Sequence, residues 1–288
     1  MNAAGVDVAD LVGTMPMKRL LCSFALFLAA AAAVMARAGL AVEVFEAAPV
    51  VEAEPAVEVA PVVEAAAADG AGQRMSAAGI GMYRTRFRQD EVNGVTGWSR
   101  LDNLVRIAAQ NGVTLLPVLI NMPGEAYVPP KTSTERARFG EFATAAVRRY
   151  GPNGTFWTTC GCARRAIRVW EVWNEPNLAP FWDLPNPAEY GALLSSTRSA
   201  LRNADPTARV LFGGLAYPSS LSATRLEPNA FLRDTIQAVG ASGFDALALH
   251  NYRPDAARAV DTLIAGTVQT LKTYGGTTPQ GAPPPRRS

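Results

Sequence analysis

Two hydrophobic patterns alternate along most of the chain. Short unbroken apolar runs, the signature of strands buried on both faces, are separated by longer stretches with apolar residues every three or four positions, the signature of amphipathic helices. The runs predict strands over 82–87, 113–120, 166–173, 210–213 and 244–251. The periodic stretches predict helices over 99–112, 133–150, 187–203, 231–239 and 255–274. Phe139, Phe142, Ala143, Ala146, Val147 and Tyr150 share one face of the second helix; Tyr190, Leu193, Leu194, Thr197 and Leu201 share one face of the third. Ser99 and Asp102 resemble a capping box, with Asp in place of Glu, and Gly112 supplies a stop. Asn186-Pro187-Ala188-Glu189 gives a cap, an N1 proline and an N3 glutamate.

Strands that alternate with helices predict an α/β fold with a parallel sheet covered by helices. A (β/α)8 TIM-barrel type, here incomplete with about five or six parallel strands, and an open doubly wound sheet both fit. No Gly-x-Gly-x-x-Gly follows a strand, so dinucleotide binding has no support.

The N-terminal quarter breaks the pattern. After an extension over 1–16, Met17-Lys18-Arg19 is a short basic segment, Leu20 to Met35 is apolar, and Ala36-Arg37-Ala38 offers a cleavage site. Residues 1–38 thus read as an extension plus secretory signal peptide cleaved near Ala38, which implies a secreted protein; uncleaved, the segment would be a membrane anchor. Residues 39–70 are almost only Ala, Val, Glu and Pro, with Ala-Pro-Val-Val-Glu-Ala at 48–53 and again at 60–65. Such a composition reads as an extended linker. Residues 71–274 form the folded domain, and the Gly-, Thr- and Pro-rich tail over 275–288 reads as disordered.

Composition narrows the chemistry. Net charge is +2, with 49% apolar and 18% charged residues, ordinary globular values that point to no nucleic-acid partner. His250 is the only histidine, which excludes multi-histidine metal sites, and no cofactor is implied. Cys160 and Cys162 are two loop thiols or a local disulfide, too few for a framework.

In either architecture ligands bind at the C-terminal ends of the strands. Those ends carry Arg84, Asn121, Asn174 with Glu175, Gly213 to Tyr217, and His250 with Tyr252. The most distinctive is Trp170-Glu171-Val172-Trp173-Asn174-Glu175-Pro176-Asn177, an apolar strand that stops abruptly at a proline. Glu171 shares strand parity with Glu175 and reads as a structural partner for an arginine such as Arg84. Trp170 and Trp173 are core or substrate-facing, with Trp173 the better candidate for the latter, and Phe181 with Trp182 offers a stacking platform or loop packing. His250 is a core histidine or a site residue.

This stretch resembles the fourth-strand motif of the retaining (β/α)8 glycoside hydrolase superfamily that includes cellulases, β-xylosidases and α-iduronidases. Arg84 is similar to an arginine those enzymes carry on strand two, and His250 and Tyr252 to their His-x-Tyr after strand six. The resemblance, over about 79–274, implies a glycosidase acting on O-glycosidic bonds of a carbohydrate. It implies Glu175 as catalytic acid/base, Asn174 as ligand of the sugar 2-hydroxyl, and Arg84, His250 and Tyr252 as substrate-binding residues; Trp173 and Trp182 join them as substrate-binding candidates because an indole beside a pocket offers a flat apolar face to a sugar ring. Retaining cleavage needs a second carboxylate, about 5–5.5 Å away, on strand seven in such enzymes. After Tyr252 the acids are Asp255 and Asp261, in or at the start of the last helix. Strands seven and eight are thus expected to be absent, the chain being a truncated product, one completed by another copy or chain, or a non-catalytic carbohydrate-binding remnant. A doubly wound sheet would instead hold Glu175, Arg84 and His250 more than about 10 Å apart, beyond glycosidase spacings.

Overall fold

The computed structural model describes residues 41–44, 70–218, 221–222, 224–252 and 256–275. The chain divides into two units, 1–42 and 43–288, and of the first only Ala41 and Val42 are described. The signal segment, the hexapeptide repeats, Asp255 and the tail beyond 275 lie outside the described residues.

The main unit begins with a helical segment over 70–77 and a turn at Gly79. Strands β2 (Met82–Arg88), β3 (Thr114–Ile120), β4 (Val169–Asn174), β5 (Arg209–Tyr217) and β6 (Ala246–Asn251) follow. Between and after them come helices α1 (Gln89–Asn93), α2 (Ser99–Gln110), α3 (Ser133–Tyr150), α4 (Pro187–Ala204), α5 (Pro228–Val239) and α6 (Ala256–Tyr274). Each strand from β2 to β6 pairs in parallel with the next, so spatial order follows chain order. A doubly wound sheet reverses that order at its switch point; sequential parallel pairing is the barrel arrangement. A short strand, β1 (Ala41–Val44), crosses the boundary between the two units, inside the stretch read as linker.

Local signals explain most element boundaries. Thr132 and Glu135 close a reciprocal capping box at the start of α3, and Asn186 accepts from the N–H groups of Ala188 and Glu189 at the start of α4. Pro117 is tolerated inside β3 because pairing with β4 begins only at Val118. The capping box expected at α2 is not formed. Ser99 Oγ donates to the Thr96 carbonyl, and Asp102 turns away to take Tyr150 and the Arg149 fork. An ion pair and a phenol hydrogen bond from α3 outcompete one exposed cap.

Three buried phenols set the alkaline limit. Burial and the Asp102 hydrogen bond push Tyr150 up, burial pushes Tyr190 well up, and burial drives Tyr217 up to about 12. Unfolded tyrosines ionise near pH 10. The native state therefore holds more protons than the unfolded state once the pH exceeds about 10, and stability falls with further rise. Melting curves from pH 8 to 12 should be flat up to about pH 10 and then drop, with phenolate absorbance appearing together with unfolding. Phenolate absorbance from these tyrosines well before unfolding would contradict this.

Candidate active site

The site is built on a break in strand alternation. Regular pleating would put Trp173 with Glu171 on the inner face and Asn174 with Trp170 on the outer. Trp173 instead adopts φ 71° and Glu175 φ 44°. Left-handed backbone at non-glycine residues costs on the order of 1–3 kcal/mol each and persists only when the surroundings enforce it. Three features do so. Gly213 has no Cβ, and one would lie 2.7 Å from the Val172 carbonyl oxygen and 2.8 Å from that of Trp173. The Tyr190 hydroxyl, from α4, donates to the Val172 carbonyl (3.0 Å) and accepts from the Gly213 N–H (2.7 Å). It thereby occupies the point where Trp173 and Gly213 leave the β4–β5 ladder. The ladder resumes at Asn174 and Gly214, and the Glu175 N–H reaches the Gly214 carbonyl (3.1 Å).

The twist brings Asn174 to the inner face. There Arg84 on β2 forks onto Glu171, with Nε to Oε2 at 2.7 Å and Nη2 to Oε1 at 2.8 Å, and Nη2 also donates to Asn174 Oδ1 at 2.7 Å. Glu171 is 0% exposed and takes a third donor, the Gly214 N–H, at 2.8 Å. The expected structural pairing of Glu171 with Arg84 is thus present. Burial works against the Arg84 charge, but the hydrogen bonds and charge of Glu171, with Glu175 and Tyr252 beyond, outweigh it and hold the guanidinium above its usual pKa. With Oδ1 engaged, the Asn174 amide nitrogen is left as a donor.

Glu175 lies just past β4 and is buried. Its Oε1 meets His250 Nδ1 at 2.6 Å and accepts from the Tyr252 hydroxyl at 2.5 Å, both residues coming from the end of β6. Burial, then the hydrogen bond and charge of Glu175, raise the Tyr252 phenol above its usual range. Gly214 makes the approach possible, because a Cβ there would lie 2.3 Å from His250 Nε2. Arg84, Asn174, Glu175, His250 and Tyr252 therefore converge.

Two expected site residues do not. Trp173 and Trp182 are each 0% exposed. Trp173 donates its indole N–H to the Phe181 carbonyl (2.8 Å) and packs on Phe139 and Trp182. Trp182 packs on Tyr190. The left-handed turn at Trp173 swings its ring into the helix layer, so neither indole offers a face to a sugar. Among the described residues the Asn121 side chain makes only a 3.5 Å contact to the Val128 carbonyl. Cys160 and Cys162 form a disulfide in the α3–β4 loop.

Some positions were missed. Asn177, fully buried, ties the loop after β4 to both the N–H and C=O of Ala216 and to the Leu226 carbonyl. Tyr127, in the loop after β3, packs edge-on against Trp173 and Phe181 and is half-buried near the strand ends. The Gly213-Gly214 pair inside an apolar strand was the available signal for a bulge and close approach. For Tyr127 and Tyr190 the sequence carried none. Among the described residues no group of three His, Cys, Asp or Glu side chains is placed to hold a metal ion. A groove of about 750 Å³, lined by Trp98, Thr144, Arg148 and Ser199 among others, lies between α3 and α4 and includes none of the converging residues.

Gly214→Ala tests the packing. The new methyl must displace the imidazole, so the His250 contact to Glu175 should be lost. His250 is the only histidine, and its ring resonances in an NMR spectrum report it without assignment. Unchanged resonances in the variant would show that the ring does not depend on this glycine.

No protein-family model matches the chain, and no curated protein matches its sequence. Among solved structures the fold is similar to a glucosidase from Croceicoccus marinus, with TM-score 0.52 and 15% identity over 70% of this chain and 44% of that one. It is also similar to a monomeric beta-xylosidase from Caulobacter crescentus, with TM-score 0.51 and 17% identity over 75% of this chain and 47% of that one. The chain spans less than half the length of either. Sequential parallel strands, helices between them and these likenesses together establish the fold as an incomplete (β/α)8 barrel of the kind found in glycoside hydrolases.

Proposed function

We propose that the chain acts on O-glycosidic bonds of a carbohydrate, with Glu175 as general acid/base. The observation that carries this reading is the seating of Glu175 Oε1 by His250 and Tyr252, next to an asparagine amide fixed by Arg84, at the C-terminal end of the sheet. Both contacts use Oε1, so Oε2 is the oxygen left to carry a proton to the leaving group. Delivery of that proton is one half of glycoside cleavage. The Asn174 amide nitrogen is positioned to donate to a sugar hydroxyl. Export through the segment ending near Ala38 belongs to the same proposal and suits an extracellular carbohydrate.

The other half is a second carboxylate. Glu171 is the acid nearest in the motif, but both its oxygens are engaged by Arg84, and one also by Gly214, which makes it part of the scaffold. That engagement favours a second reading, a carbohydrate-binding protein without turnover. Aryl glycosides assayed with and without azide or formate separate the two, because these anions can replace a missing nucleophilic carboxylate. Turnover that Glu175→Ala removes supports the hydrolase. Turnover only with the anion supports an acid/base half-site. Binding without turnover selects the second reading, and neither binding nor turnover would overturn both.

A further inference from the structure

Strand β2 carries an arginine at every second position: Arg84, Arg86 and Arg88. Alternation places all three on one face, and Arg84 identifies it as the inner face by reaching Glu171. Two of the three charges are neutralised. Arg84 is held by Glu171, and Arg88 by Asp90, Glu91 and Glu125. Arg86, between them, is exposed and makes no ion pair or side-chain hydrogen bond among the described residues.

Tyr127 lies in the loop after β3, which Arg88, two positions on from Arg86, ties to β2 through the Met122 carbonyl and Glu125. Its ring is wedged against Phe181 at 4.8 Å and Trp173 at 5.9 Å, yet remains half-exposed. Burial raises its phenol pKa, and of the charges around it Arg86 opposes that rise most, with Glu175, Arg84 and Arg88 also in reach. Its packing on Trp173 and the hold of Arg88 on its loop place Tyr127 at the β2 side of the strand ends, the side that carries Arg86. With Trp173 and Trp182 buried, it joins Phe181 and Tyr252 among the described aromatic rings left part-exposed there.

We infer that Arg86 and Tyr127 form a subsite for an acidic sugar residue, the guanidinium taking a carboxylate or sulfate group while the phenol ring flanks the sugar. The inference rests on the carbohydrate reading of the Glu175 cleft. A guanidinium offers paired N–H donors that match two oxygens of either anion, and such charge-assisted bonds are stronger than neutral ones. Arg84 and Arg88 cannot supply them without breaking their ion pairs. Arg86 can bind an anion at no such cost. The small net charge of the chain conceals this local excess.

Calorimetric titration of the full chain with methyl β-glucuronoside, glucose 6-sulfate and methyl β-glucoside tests it. At least one acidic sugar should bind about tenfold or more tightly than the neutral one, and the preference should shrink with added salt. Whichever acidic sugar binds better identifies carboxylate or sulfate. Arg86→Gln should erase the preference while leaving neutral-sugar affinity within about twofold, since a solvated charge gains little from a neutral ligand. Arg86→Lys should keep part of the preference, and Tyr127→Ala should weaken all three sugars alike. Equal affinity for acidic and neutral sugars, or Arg86→Gln weakening all three equally, overturns the subsite. Binding of the neutral sugar alone overturns the subsite and leaves the proposed function standing, whereas binding of none overturns both.

Discussion

Arg84→Met is expected to cost about 3–5 kcal/mol of folding stability, the usual penalty for leaving one member of a buried ion pair without its partner. Glu171 has no access to water. Without the arginine fork it keeps only the Gly214 N–H as a donor, and a buried carboxylate needs more than that. Domains of this size are stable by roughly 5–15 kcal/mol in total, so the variant should approach the unfolding threshold. Urea unfolding at neutral pH gives the number. The paired change Arg84→Met with Glu171→Leu should recover a large part of the loss, because removing both charges also removes their desolvation cost. A single-variant cost below about 1 kcal/mol would show that the pair behaves like an exposed surface salt bridge. The same substitution frees Asn174 Oδ1, so ligand affinity should fall even in the fraction that remains folded.

Glu175→Ala should lower any glycoside turnover by about 10²–10⁴-fold, the range attributed to a positioned acid or base. The size of the drop should depend on the leaving group. An unactivated sugar leaving group requires its proton in the transition state, whereas a nitrophenolate departs with little help, so the loss should be larger for the former. Stability should change by no more than about 1–3 kcal/mol, since the desolvation cost of the carboxyl is removed while the buried His250 ring loses a partner. Equal kcat values for wild type and variant on an unactivated glycoside would remove Glu175 from the chemistry. A drop of the same size on both leaving groups would point to a role in positioning rather than proton delivery.

How far the sequence determined the site can be followed residue by residue. Arg84, Asn174, Glu175, His250 and Tyr252 were found from the rule that parallel sheets bind at their C-terminal strand ends, and they do converge. Trp173 failed for a physical reason. Parity arguments assume unbroken pleating, and one left-handed residue inverts the faces from that point on. The inversion depends on Gly213, which lies forty residues away, and on a hydroxyl from α4, so no window around Trp173 could reveal it. Ser99 and Asp102 failed likewise, because Asp102 found a better partner forty-seven residues on.

The alternation of apolar runs and periodic stretches by itself determined the α/β class, the positions of five strands and most helices, and which polar residues stand at the strand ends. Those features follow from local periodicity, which each segment carries alone. Only the tertiary structure decided that the strands pair in sequential order, that Trp173 and Trp182 serve the core, and that Glu171 is scaffold beside Glu175. It also showed that, among the described residues, Arg84 and Arg88 have ion-pair partners on other segments and Arg86 has none. Each of these depends on which distant group reaches a given atom first, and that competition is settled by packing in three dimensions.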